Sequence, residues 1–92
     1  MKLIREIRQI FPTCAYCNAH ECLTLEHLVA ISMGGTNARN NLTTACFTCN
    51  SSKQAKPWRT WYRSAPCYEP TRFRRLVQWE KGEMYLETGP CP

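Results

Sequence analysis
The chain has 92 residues, 12 basic against 7 acidic side chains, and a net charge of +5. That is the size of one small domain, which can bury only about 60–65% of its unfolded surface and gains from a staple. No run approaches the ~20 apolar residues that cross a bilayer, and "MKLIREIRQIF" is charged too regularly for a secretory signal; a membrane protein is disfavoured, and a cytoplasmic, reducing setting is expected.

Residues 2–10, "KLIREIRQI", repeat apolar side chains at 3, 4, 7 and 10. This helical spacing predicts a short amphipathic helix that Pro12 ends. "TCAYCNAHEC" (13–22) reads as a tight turn, "LTLEHLV" (23–29) as a strand, and "SMGGTNARNN" (32–41) as a loop whose paired glycines allow positive φ. "LTTACF" (42–47) is a second strand. From Cys49 the pattern turns helical, with Asn50 and Ser51 as caps. Pro57 ends that helix or opens the next. "SAPCYEP" (64–70) is a break. "TRFRRLVQWE" (71–80) reads as a last helix with Phe73, Leu76, Val77 and Glu80 on one stripe, and "EMYLE" (83–87) as a short strand.

Seven cysteines in so short a chain point to a metal or to disulfides. In a reducing compartment the metal is favoured. Two pairs share one spacing, Cys14-x-x-Cys17 and Cys46-x-x-Cys49, with 28 residues between them. Each pair can grip one ion from a single turn, so the four thiolates complete a tetrahedral structural zinc site. Such a site is coordinatively closed and leaves no position for water or substrate. Cys22 or His20 can substitute for one ligand, although an exposed turn is the simpler place for His20. Cys67 and Cys91 read as free thiols.

Any chemistry must then come from elsewhere. Inside the interval between the cysteine pairs lies Glu26-His27, in a chain with only two histidines and no aspartate. Asn41 ends the loop, and Asn50 follows the second pair at once. A lone His27 in an apolar stretch is usually a core histidine, Glu26 a surface residue, Asn41 a turn residue and Asn50 a cap. Together and in order they suggest more. A histidine titrating near ~6.5 can deprotonate water at neutral pH. One carboxylate and one amide oxygen make a hard site suited to Mg²⁺ or Mn²⁺.

The series Cys-x-x-Cys, Glu-His, "GGTNARNNL" and "CFTCNSSK" resembles the HNH endonuclease family, the zinc-bearing branch of the ββα-metal nucleases, over about residues 14–53. The later "KPWRTWYRS" and "TRFRRLVQWEKG" are a weaker likeness to the tails of small stand-alone members. The resemblance implies an α+β fold: a small zinc-stapled ββα-metal core (about 12–64) with flanking short helices at 2–10 and 70–81, all one domain over 1–92. It implies His27 as the general base and Asn41 as the residue that fixes the loop and orients the histidine. It implies Glu26 and Asn50 as ligands of the catalytic divalent ion. Two positions depart from the common pattern: glutamate stands where aspartate is frequent, and asparagine where the third motif residue is often histidine, making the motif H-N-N.

Residues 50–92 hold eight basic and four acidic side chains, against four and three in residues 1–49. The block from Lys53 to Arg75 interleaves cations with Trp58, Trp61, Tyr62, Tyr68 and Phe73, a pattern suited to nucleic acid. Its bland counterpart is a solvated helix face with aromatics turned to the core. Arg39, Lys53, Lys56, Arg59 and Arg63 are the candidate phosphate contacts, which set register and affinity rather than sequence choice; five of them imply a salt slope of about −4 to −5. Arg72, Arg74 and Arg75 divide evenly between that surface and simple solvation. The function expected is a Mg²⁺- or Mn²⁺-dependent DNA endonuclease, a monomer or a homodimer, of a kind that suits a phage, a mobile element or a defence system. The competing readings are a non-catalytic zinc-containing nucleic-acid-binding module or accessory subunit, and a zinc-stabilised protein-interaction domain.

Overall fold
The computed structural model describes residues 2–82; the strand expected at 83–87 and Cys91 lie outside them. Helix α1 (Lys2–Ile10) forms where the apolar spacing predicts it. Ile7 is fully buried, Leu3 and Ile10 pack beside it, and Phe11 follows into the core.

Two strands, β1 (Leu23–His27) and β2 (Leu42–Cys46), pair antiparallel from Leu23↔Cys46 to His27↔Leu42. All five β2 residues are buried, because α1 and the helix that follows β2 both pack on it. β1 stops at His27, two residues before the sequence pattern does. The reason is local: the Val29 N–H leaves the ladder and donates to Asn41 Oδ1 at 2.9 Å.

Helix α2 (Phe47–Lys53) begins earlier than expected. Its cap is the Cys46 sulfur, which accepts from the Cys49 N–H at 3.4 Å, and Asn50 and Ser51 sit inside the helix. Pro57 caps the next helix, α3 (Trp58–Ser64). After a turn, α4 (Pro70–Glu80) opens on Glu69, whose carboxylate accepts from the Arg72 N–H at 2.8 Å. Leu76 is buried as the stripe predicts, and Phe73 and Val77 pack against the core. Trp79, off that stripe, is buried too, and its indole N–H donates to the Leu42 carbonyl at 2.8 Å.

Most of the aromatic block between Lys53 and Arg75 faces inward; Tyr68 is 38% exposed, with its ring edge against Tyr62 and Phe73. Trp58 and Tyr62 are buried, and Tyr16 meets Trp61 and Tyr62 with ring centroids 4.9 and 5.3 Å apart. The interleaved arginines brace the same layer. Arg63 lies over Phe73 at 4.7 Å and Arg59 over Trp58 at 5.5 Å. Arg72 donates to the Tyr16 carbonyl at 2.8 Å, and Arg75 to the Ile10 carbonyl at 2.6 Å. Here the bland reading holds for the aromatics: cation–π contacts and backbone bonds pack α3 and α4 against the rest. Among the described residues no helix is long and apolar enough to cross a membrane.

Candidate functional site
The four predicted cysteines converge. Their sulfurs lie within 4.8 Å of one another, and those of Cys17 and Cys46 are 3.6 Å apart. A tetrahedron of Zn–S bonds near 2.3 Å needs sulfurs about 3.8 Å apart, so the cluster is the right size for such an ion. The first pair sits on a turn that Asn18 closes at φ 68, a conformation asparagine tolerates. The Ala15 N–H ties that turn to the Thr44 carbonyl of β2 at 2.8 Å. The second pair sits at the β2–α2 junction. Proton affinity divides within the cluster. The Cys49 thiol, donating to Cys14, pulls the Cys14 thiol down to about 4 despite burial, and Cys14 in turn pushes Cys49 up. Burial, first among several causes, raises Cys17 to about 11. Four sulfurs packed this closely cannot all shed their protons unless a cation takes up the charge. The donor set can hold a thiophilic metal ion. His20 and Cys22 are exposed and stand outside it, as does half-buried Cys67.

The cluster joins the foot of the hairpin to the start of α2, and a cleft of about 360 Å³ opens between hairpin, loop and helix. Glu26, His27 and Asn50 all line it, together with Ala30, Ile31 and Gln54. Three of the four residues predicted for the site therefore share one cavity. The fourth, Asn41, is 8% exposed and lies behind it. Its side chain accepts from the Val29 N–H at 2.9 Å and donates to the carbonyls of Val29 at 3.0 Å and Thr36 at 2.7 Å. One carboxamide thus clamps both ends of the loop that follows β1. The two glycines have separate duties. Gly34 takes φ 93, whereas Gly35 is required for space: a Cβ there would lie 1.8 Å from the Val29 carbonyl oxygen.

Glu26 and Lys53 differ most from expectation. Lys53 is fully buried rather than at a nucleic-acid surface. Its ammonium meets Glu26 Oε2 at 2.8 Å and donates to the His27 carbonyl at 3.1 Å. A cation with no solvent exposure and a carboxylate partner is in no position to meet a phosphate, so Lys53 is withdrawn from the phosphate-binding set. Glu26 is 4% exposed, and its Oε1 accepts from the Tyr16 hydroxyl at 3.3 Å. Both oxygens of the expected metal ligand already have partners. Burial raises the Glu26 carboxyl above the usual range, opposed by Lys53 and Tyr16. A raised folded-state value means that this group's contribution to stability is present below the ordinary carboxyl range and is lost as pH rises through the folded value.

Removing one partner of a buried ion pair strands the other. Lys53→Met is expected to lower unfolding stability by about 3–5 kcal/mol at neutral pH, and by less in acid, where Glu26 can hold a proton. Urea titrations at the two pH values check this; an equal loss at both would sink the account.

The remaining predicted phosphate contacts keep partial exposure. Arg39 pairs with Glu6 at 3.5 Å and lies over Trp79 at 5.2 Å. Arg59 meets Glu80 at 2.9 Å. Arg63 is exposed beside Phe73, and Lys56, also exposed, donates to the Ser52 carbonyl at 3.2 Å. Such surface contacts hold weakly and exchange readily. Asn37 did not figure among the expected site residues, yet its Oδ1 stands 2.8 Å from His27 Nε2. Nothing in its loop-type surroundings singled it out from the neighbouring asparagines.

Residues 14–56 match the family model described as HNH endonuclease. No curated protein matches the chain. Among solved structures, the type II-C Cas9 enzyme from Actinomyces naeslundii superposes with a TM-score of 0.65 at 20% identity over 89% of this chain. The chain spans about a tenth of that enzyme's length, 10%, and at this identity the likeness is one of fold. The sulfur cluster, the hairpin and the helix that closes it lie within residues 14–56, the segment that is similar to the HNH endonuclease family.

Proposed function
We propose that this chain is a metal-dependent DNA endonuclease that hydrolyses phosphodiester bonds, with zinc as the structural ion in its four-cysteine cluster. The observation that carries the reading is the meeting of His27, Glu26 and Asn50 in one solvent-open cleft. Phosphodiester hydrolysis needs a base for water and positive charge near the phosphate. His27, half-buried on the cleft wall, is the base. Asn41 acts at a distance by holding the loop that roofs the cleft. Lys53 anchors the strand at the catalytic residue itself through the His27 carbonyl.

The oxygens of Glu26 and Asn50 suit Mg²⁺ or Mn²⁺ by their hardness. Glu26 Oε1, held by the longer of its two contacts (3.3 against 2.8 Å), is the oxygen to be shared with that ion. When bound, a divalent ion there supplies charge neutralisation at the phosphate and the leaving oxygen. Arg39, Lys56, Arg59 and Arg63 hold the DNA backbone, contacts that set register rather than sequence choice. One such site cuts one strand.

A single observation favours the second reading, a non-catalytic nucleic-acid-binding module: Glu26 is already paired with Lys53. Supercoiled plasmid decides between them. With Mg²⁺ or Mn²⁺ the protein is expected to accumulate nicked circles. Binding without nicking in either metal would favour the module and retire the nuclease.

A further inference from the structure
We propose that Asn37 is a positioning residue for His27, fixing which ring nitrogen acts as the base. This rests on the nuclease reading for its consequence, though not for its geometry. Asn37 Oδ1 lies 2.8 Å from His27 Nε2. A carboxamide oxygen only accepts, so Nε2 carries the hydrogen. A neutral imidazole has one N–H, and Nδ1 is then the nitrogen with a free lone pair. The ring enters the cleft wall with its base already chosen.

The placement of Asn37 is over-determined. The residue before it, Thr36, is held by its carbonyl, which accepts from Asn41 Nδ2 at 2.7 Å. The residue after it, Ala38, donates its N–H to Thr36 Oγ1 at 3.2 Å and accepts from the Asn41 N–H at 2.9 Å. Upstream, the Gly35 N–H reaches the Ala30 carbonyl at 2.9 Å. Asn41 therefore serves His27 through Asn37: it clamps the stretch of backbone from which the orienting amide projects. Among charged groups, Glu26 on β1 and Lys53 on α2 stand near His27, and they neutralise each other at 2.8 Å. The other α2 residues lining the cleft, Asn50 and Gln54, are uncharged. Asn37 itself is exposed, so replacing it leaves the core intact.

The test uses the full metal-loaded chain, ¹⁵N-labelled, in a His20→Gln background that leaves one imidazole to observe. A long-range ¹H–¹⁵N spectrum above the histidine titration is expected to show a single ring form protonated at Nε2. Asn37→Asp keeps the acceptor and so the ring form. Asn37→Ala is expected to give a mixture of ring forms and about a tenfold lower kcat with KM unchanged, the scale of losing a group that orients a catalytic side chain. A wild-type ring protonated at Nδ1, or an alanine variant with an unaltered ring form, overturns the proposal. If the protein cleaves nothing, the nuclease reading falls while the spectrum still decides for or against Asn37.

Discussion

Replacing His27 by alanine is expected to reduce Mg²⁺-dependent nicking by about 10²–10⁴-fold, with the fold and the affinity for DNA almost unchanged. The size follows from the role proposed for the side chain: removing a positioned base would leave water to be deprotonated by solvent alone. The mildness elsewhere follows from where it sits. His27 closes the last rung of the hairpin and is only half-buried, so truncation opens the cleft rather than the core. The bonds that anchor the strand use its carbonyl and the side chain of its neighbour, and both survive the change. Single-turnover nicking beside thermal melting and a DNA titration separates the effects. A variant that cuts at the wild-type rate would remove His27 from the mechanism, and one that melts early would show the residue to be structural.

The second large effect concerns the sulfur cluster. Stripping its metal, or changing Cys49 to serine, is expected to unfold the chain cooperatively. Structural zinc contributes about 10–16 kcal/mol in comparable small sites, against a total stability of about 5–15 kcal/mol for a domain. Without the ion, the buried thiols of Cys14, Cys46 and Cys49 lie close together with one of them pulled towards its anion. The Cys46 sulfur of the same cluster also caps α2, so when the cluster comes apart the helix carrying Asn50 and Lys53 loses its start. Circular dichroism during chelation reads the unfolding. Adding back excess Mg²⁺ should fail to restore either signal or nicking, whereas Zn²⁺ should restore both. Full helicity in the stripped protein would show that packing alone holds the fold.

The features legible in the sequence are those written at short range. Each Cys-x-x-Cys pair is a local turn, so the cluster follows once two such turns are supposed to meet. Apolar spacing places α1, and the hairpin strands are bounded by cysteines and glycines. Asn41 stands at the end of an asparagine- and glycine-rich loop, and its side chain makes three bonds to the backbone there. The illegible features depend on partners far along the chain. Lys53 looks like a surface cation from its neighbours; it is buried because Glu26, 27 residues earlier, waits for it. The aromatics after Lys53 suit either a stacking platform or a core, and Tyr16 draws them inward. The start of α2 was obscured because cysteine is not among the usual capping residues. Asn37 is one of three asparagines in one loop, and only its folded position beside His27 sets it apart.

Among the described residues, six of the fourteen buried apolar side chains, Ile7, Phe11, Trp58, Tyr62, Leu76 and Trp79, lie outside the segment 14–56. The indole of Trp79 holds the carbonyl of Leu42, and Asn40 reaches the Glu80 carbonyl at 2.6 Å. The stretch that matches the family model and the stretch that supplies the core are therefore of different lengths. Excising the first for transplantation would deliver every motif residue with its supporting walls left behind.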